Sequence, residues 1–313
     1  MTDTAFRFAL DIGDNTSRDV FVDLVRRAEA SGFSVVAGPD HIGSRLAAVL
    51  PMLAVAAEVS PSIRISPMVL ANDFRHPVVL AKETATMDIL SSGRFELGIG
   101  AGWIEHQYAA AGISYDPART RVDRFEEAIH IIKGCWSGEP FTYDGAHYQV
   151  EDVTCPRPFQ QPHPPILIAG AGPRMLNIAG READIVSVAP LTHGSSTFER
   201  FGSDLATSGD RIAAQIEWIR QGAGPRFDDI ELSVFAHHVA TTNTPQVAIE
   251  EFAAETGSTL DEVKQSPHVL IGPPEAIVET LLHRRETLGI SYIVFDAADL
   301  DAVTPVVAQL ADQ

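Results

Sequence analysis

The chain has 313 residues, 45% of them apolar, enough to bury one large core or two modest ones. Its 23 basic residues face 42 acidic ones, and the resulting charge of −19, with no basic run to offset it, excludes nucleic acid and anionic membrane surfaces as partners. No apolar run approaches the roughly 18–20 residues of a membrane span, and the opening MTDTAFRFALDIGDN lacks the basic and long apolar regions of an export signal, so a cytoplasmic protein is expected.

Short β-branched or apolar runs alternate with amphipathic segments along the chain, which is the rhythm of βα units. FRFALDI (6–12) reads as the first strand. The helix after it carries Phe21, Leu24, Val25 and Ala28 on one face, a candidate capping box at Thr16 and Asp19, and Gly32 as its stop. SVVAG (34–38), IRISPMVL (63–70) and RFELGIG (94–100) follow as strands two to four, and Val122, Phe125, Ile129 and Ile132 give a later helix its apolar stripe. PILIAG (165–170), DIVSVA (184–189) and IELSVFAHHV (230–239) are strands five to seven. Pro273 and Pro274 open a long helix with Leu281, Leu282 and Leu288, and Gly289 ends it before SYIVFD (291–296), the eighth strand.

Eight units in about 300 residues predict an α/β fold of the (β/α)8 TIM-barrel type, one domain spanning 1–313, with function at the C-terminal strand ends. An open doubly wound sheet would carry a dinucleotide fingerprint, and both glycine-rich strand ends fail it. Trp103 occupies the third glycine position after Gly98 and Gly100, and Met175 does so after Gly170 and Gly172. Two connections are long. The one after strand four, about 135–164, contains FTYDGAHYQV with a hairpin turn at Asp144-Gly145. The one after strand six, PLTHGSSTFERFGSDLATSGD, is a lid or a disordered loop.

Other chemistries find little support. Cys135 and Cys155 stand twenty apart, match no metal or redox spacing, and read as two reduced thiols. A metal hydrolase on this barrel would want paired histidines on strand one, which has none, and the adjacent His237 and His238 point to opposite faces of their strand. No metal site is expected.

GPDH after strand two, LANDFRHPVVLAKETATMDILSSGRFELGIGAGW, PPILIAGAGPRMLNIAGREADIV, RFEEAIHIIKGCWSGEPFTYDGAHYQV and the closing ETLGISYIVF together resemble the bacterial luciferase-like flavin and deazaflavin oxidoreductases. The Asp40-His41 pair makes the chain most similar to the actinobacterial branch that uses coenzyme F420, where FMN-using relatives more often place Glu before the His. The resemblance implies a hydride-transferring oxidoreductase with a small organic substrate, working as a homodimer. The enzyme alternative is an FMN-dependent monooxygenase, which differs in needing O₂ and a reductase partner. The non-enzyme alternative is a carrier that binds F420 without turnover.

The same resemblance places the residues. Gly170, Ala171 and Gly172 would aim backbone N–H groups at the cofactor phosphate, with a helix dipole behind them and Arg174 adding charge. A plain βα turn is the bland reading of the same residues. Ala101 and Gly102 would let backbone approach the ring, and Pro67, Met68, Leu70 and Asn72 would line it, with a cis non-proline bond at Pro67-Met68 or, failing that, a cis bond at Ser66-Pro67. Asp40 matches the position that hydrogen-bonds the ring edge. His41 is the candidate for moving the proton that accompanies the hydride, against the simpler role of a strand-end His facing water. Glu105 is a second candidate for the chemistry and His106 for a cofactor contact, unless both merely lie on a solvated first helical turn. Trp103 replaces a carboxylate found in the sugar-phosphate dehydrogenases of this family, which speaks against that substrate.

Overall fold

The structure, a computed structural model, describes residues 5–13, 17–190, 205 and 208–311. Its main sheet is parallel throughout. β1 (Arg7–Asp11) pairs on one side with β2 (Val35–Gly38) and on the other with β13 (Ile290–Asp296), and β2 pairs with β3 (Arg64–Pro67). From β13 the order continues through β10 (Glu231–Phe235), β9 (Ile185–Val188), β8 (Ile166–Gly170) and β5 (Leu97–Gly100) to the short β4 (Leu70–Ala71). β3 and β4 are one strand interrupted at residues 68–69, and a bridge from Ile65 to Phe95 completes the ring. Counting that interrupted strand once gives the eight positions of a (β/α)8 barrel.

The interruption corrects one expectation. Both bonds of Ser66-Pro67-Met68 are trans, and the cis bond is Met68-Val69. The ladder explains the offset, because Pro67 still pairs with Gly38 and the Met68 N–H still donates to the Gly38 carbonyl at 2.8 Å, so the strand departs from β2 only after Met68. Gly98 is what lets the next strand pass this bulge, since a Cβ there would stand 1.9 Å from the Pro67 carbonyl oxygen.

Side chains alternate between two interiors, as barrel strands require. Phe8, Leu10, Val36, Ile99 and Ile168 face outward into the large core beneath the helices. Ala9, Val35, Ala37, Leu167, Ile185, Tyr292 and Val294 fill the barrel itself. At its N-terminal end the lumen is closed by charges: Arg7 bridges Glu96 at 2.5 Å and Glu231 at 2.6 Å, and Arg64 also binds Glu96.

The outer layer opens with α1 (Arg18–Ala30), whose N-cap is Ser17 without a side-chain capping bond. Asp19 lies in the first turn, and Thr16, the other half of the candidate capping box, lies outside the described residues. α2 (Val49–Val59) and α3 (Pro77–Leu90) follow. After β5 come α4 (Glu105–Ala111), α5 (Ala118–Cys135) and the hairpin of β6 (Phe141–Asp144) and β7 (Gln149–Val153), which turns where Asp144-Gly145 indicated. That arm is tied to the barrel wall by Trp136 Nε1 donating to the Ala81 carbonyl at 3.0 Å and by Gln160 on Asp88 at 2.6 and 2.8 Å.

α6 (Pro173–Glu182) and α7 (Gly209–Ala223) flank β9, and the lid expectation for 190–210 falls largely on 191–204, 206 and 207, outside the described residues. Strand seven also differs from expectation. It leaves the barrel after the Ala236 N–H bonds the Val294 carbonyl, and His238–Thr241 (β11) instead pairs with Val269–Gly272 (β12), beside α8 (Pro245–Thr256) and α9 (Leu260–Gln265). The apolar run simply continued across the departure point, so the pattern did not mark it. α10 (Pro274–Leu288) and α11 (Leu300–Leu310) complete the chain order.

Candidate active site

β2 delivers Asp40 and His41 to the barrel mouth. Asp40 is clamped by a bidentate Arg75 at 2.6 and 3.0 Å, and its Oδ2 accepts the Ala71 N–H at 3.1 Å. Both carboxylate oxygens are thus engaged within the protein, which ties the end of strand two to the far side of the bulge. The pair is of the bidentate, charge-assisted kind that fixes orientation as well as energy.

His41 is half-buried, and its Nδ1 meets the Gln107 side-chain amide of α4 at 3.1 Å to Nε2 and 3.3 Å to Oε1. Desolvation lowers its pKa, with the Gln107 bond and the Asp40 charge opposing that effect and His106 adding to it, so the ring is neutral at pH 7. Gln107 itself is buried. Sequence reasoning missed it, because a glutamine in an amphipathic first turn gives no signal of its own.

A second ion-pair unit stands behind α4. Arg124 grips Asp73 at 2.7 and 2.9 Å and reaches Asp116 at 2.9 Å, while the buried Tyr108 hydroxyl donates to Asp73 at 3.2 Å. Burial, followed by the Asp73 charge, pushes the Tyr108 phenol well above its usual range, so it stays a donor. Gly102, at φ +75°, passes directly against this ring, where a Cβ would stand 1.9 Å from the Tyr108 oxygen. The glycine expected to admit a ligand is therefore also demanded by internal packing.

The remaining expected residues fall around the same mouth. Met68 and Val69 are partly exposed over the barrel interior, Pro67 and Leu70 are buried, and Ala101 is half-exposed. Asn72 is 1% exposed; its Nδ2 lies 3.4 Å from both Asp73 and the Tyr148 hydroxyl of the hairpin, and its Oδ1 has no partner among the described residues. Glu105 and His106 lie exposed in the first turn of α4. His237 stacks on Phe235 at 4.3 Å and His238 on Phe252 at 4.1 Å, so the two rings do part company.

On strand five, Gly170 ends β8, and Gly172 is the N-cap of the ten-residue α6, with Pro173 in the first turn. Among the described residues, no atom beyond its immediate chain neighbours lies within 4 Å of where a Gly172 Cβ would stand. The Ala171 carbonyl is held by Gln215, which also binds the Ala189 carbonyl, each at 3.0 Å. Arg174 is not turned to this cradle. It binds Asp123 at 2.5 Å and Glu126 at 3.4 Å on α5, which neutralise its charge.

A family model described as luciferase-like monooxygenase matches residues 4–269. The chain belongs to that family. Among its relatives in the luciferase-like family, an F420-dependent glucose-6-phosphate dehydrogenase of Beutenbergia cavernae is 34% identical over half of this chain and 48% of its own length. The oxygenase component of a flavin-dependent trigonelline monooxygenase of Acinetobacter baylyi is 31% identical over 58% of this chain and 51% of its own. The chain thus spans about half the length of these curated relatives. The coenzyme F420-dependent tetrahydromethanopterin reductase of Methanopyrus kandleri superposes with a TM-score of 0.78 over 98% of both chains at 17% identity, a likeness of fold.

Proposed function

We propose that this luciferase-like protein is a coenzyme F420-dependent oxidoreductase that moves a hydride between the deazaflavin and a small organic substrate. The observation that carries the reading is His41, a neutral imidazole oriented by Gln107 beside the Asp40–Arg75 clamp at the barrel mouth. Support also comes from relatives whose names specify F420 dependence.

The residues present fit such a cofactor. Gly170, Ala171 and Gly172 would hold its phosphate at the α6 N-terminus, where Gly172 leaves space among the described residues. Met68, Val69, Leu70 and Ala101 would carry the ring, with the orphaned Asn72 oxygen as an acceptor near it. Bound there, the deazaflavin supplies hydride chemistry at its central ring carbon. His41 takes or gives the accompanying proton, and Gln107 fixes which ring nitrogen does so. Asp40, bound on both oxygens, acts as a brace for the site. Glu105 and His106 stand where a substrate would enter. We further propose a homodimer.

Titration of the purified protein with F420 and with FMN, followed by quenching of tryptophan fluorescence, tests this. Micromolar F420 binding with much weaker FMN binding is the expected result, and substrate-dependent absorbance change of reduced F420 separates an enzyme from a carrier. A preference for FMN would make the protein a monooxygenase instead, the reading that the trigonelline relative favours.

A further inference from the structure

Asp11 ends β1, and alternation from Ala9 turns its side chain into the barrel lumen at the mouth. It is only 7% exposed. Its Oδ1 has no hydrogen-bond partner among the described residues and lies 3.4 Å from the point where a Gly13 Cβ would stand. Every other acid described at this mouth with a firm role, Asp40 and Asp73, is gripped by an arginine. Asp11 meets none. In register it faces Ala37 on β2 and Asp296 on β13, and Asp296 spends one oxygen on the Ala298 N–H.

Burial first, then the Asp296 charge, pushes Asp11 up to about 8, so at neutral pH it is a carboxylic acid and a hydrogen-bond donor. The floor next to it is apolar and partly open, formed by Met68, Val69, Ala169 and Phe235 above the lumen core. Such a floor suits a flat ring, and a lone donor at its border suits an acceptor on the ring edge.

We propose that Asp11 is a cofactor-binding residue whose carboxyl donates a hydrogen bond to a carbonyl oxygen on the edge of the planar ring seated on that floor. This rests on the cofactor reading above and adds a residue to it. It also sets a pH ceiling on binding: ionisation of Asp11 removes the donor and brings a negative charge against the acceptor. Other titrating groups around the mouth act lower. Asp299, beyond β13, is raised to about 6 by burial and then by Asp296, and His41 is lowered from the usual imidazole range.

The test is the dissociation constant of F420, and in parallel of FMN, by tryptophan quenching between about pH 6 and pH 9.5 for wild type, Asp11→Asn and Asp11→Leu. Wild-type affinity should weaken by about tenfold per pH unit above about 8. Asp11→Asn, which keeps an N–H donor but cannot ionise, should lose that slope, so titrations of the ligand or of other residues cancel between the two. Asp11→Leu should bind about tenfold more weakly at pH 7 with an unchanged circular dichroism spectrum. Equal binding by all three, or a wild-type slope surviving in Asp11→Asn, overturns the proposal while leaving the cofactor reading intact. Failure of the wild type to bind either cofactor overturns both.

Discussion

What separates the two ends of the barrel lumen is whether a cation stands beside the buried acids. At the N-terminal end Arg7 joins Glu96 to Glu231, and Arg64 joins Glu96 again, so each acid has a cation on one oxygen, while Glu96 Oε2 and Glu231 Oε1 have no partner among the described residues. At the C-terminal end Asp11 is buried with another carboxylate as its charged neighbour, and its Oδ1 goes without a partner among the described residues. The first end closes a packed cylinder, which is a contribution to folding. The second leaves a buried carboxyl without a counter-cation at the C-terminal face, where this fold places its chemistry. What the contrast teaches is that a missing counter-cation is more informative than the buried acid itself.

The contrast can be broken first at its closed end. Glu96→Gln strips Arg7 and Arg64 of their shared counter-charge and should cost about 3–5 kcal/mol in urea unfolding, while F420 affinity of the folded fraction stays as in wild type. A loss of affinity without loss of stability would erase the distinction between the ends. His41→Ala should do the reverse, leaving the unfolding midpoint nearly unchanged and lowering turnover by about 10²–10⁴-fold; a drop of less than about fivefold would remove His41 from proton transfer.

The third test concerns pH. Asp11 is raised in the folded state from 3.8 to about 8, so between those values the unfolded chain releases a proton that the folded chain retains, and stability falls as pH rises through that window. Asp11→Asn should therefore stabilise the protein at pH 8, read as a higher melting temperature, and change it little at pH 4. The smallest effect is expected at Arg174→Ala, whose partners on α5 are half-exposed. Stability should move by about 0.5 kcal/mol or less, and F420 affinity by less than about threefold, because its charge already faces Asp123 and Glu126.

Much of this was legible in the sequence because barrel strands and helices announce themselves by apolar period and by glycine or proline punctuation. The eight strand positions, the hairpin at Asp144-Gly145 and the stop at Gly289 all follow from those local signals. The departure of strand seven was not legible, since His238–Thr241 is as apolar and β-branched beside β12 as it would be inside the barrel. At the mouth, Asp40, His41 and the GAGP turn lie on strand ends and could be picked out one by one. Their partners could not: Arg75 and Gln107 act across long sequence separations, and Asp11 was hidden as one acid in an apolar run. The same blindness placed the cis bond one residue early, because the hydrogen bond from Met68 to Gly38 is a tertiary fact.

Gly98 has a consequence for substitution. With the Pro67 carbonyl 1.9 Å from where any side chain would begin, this position accepts no replacement while the bulge opposite keeps its shape. The two strands are thus sterically coupled: a substitution at position 98 requires the bulge to be reshaped with it, whatever substrate the loops recognise.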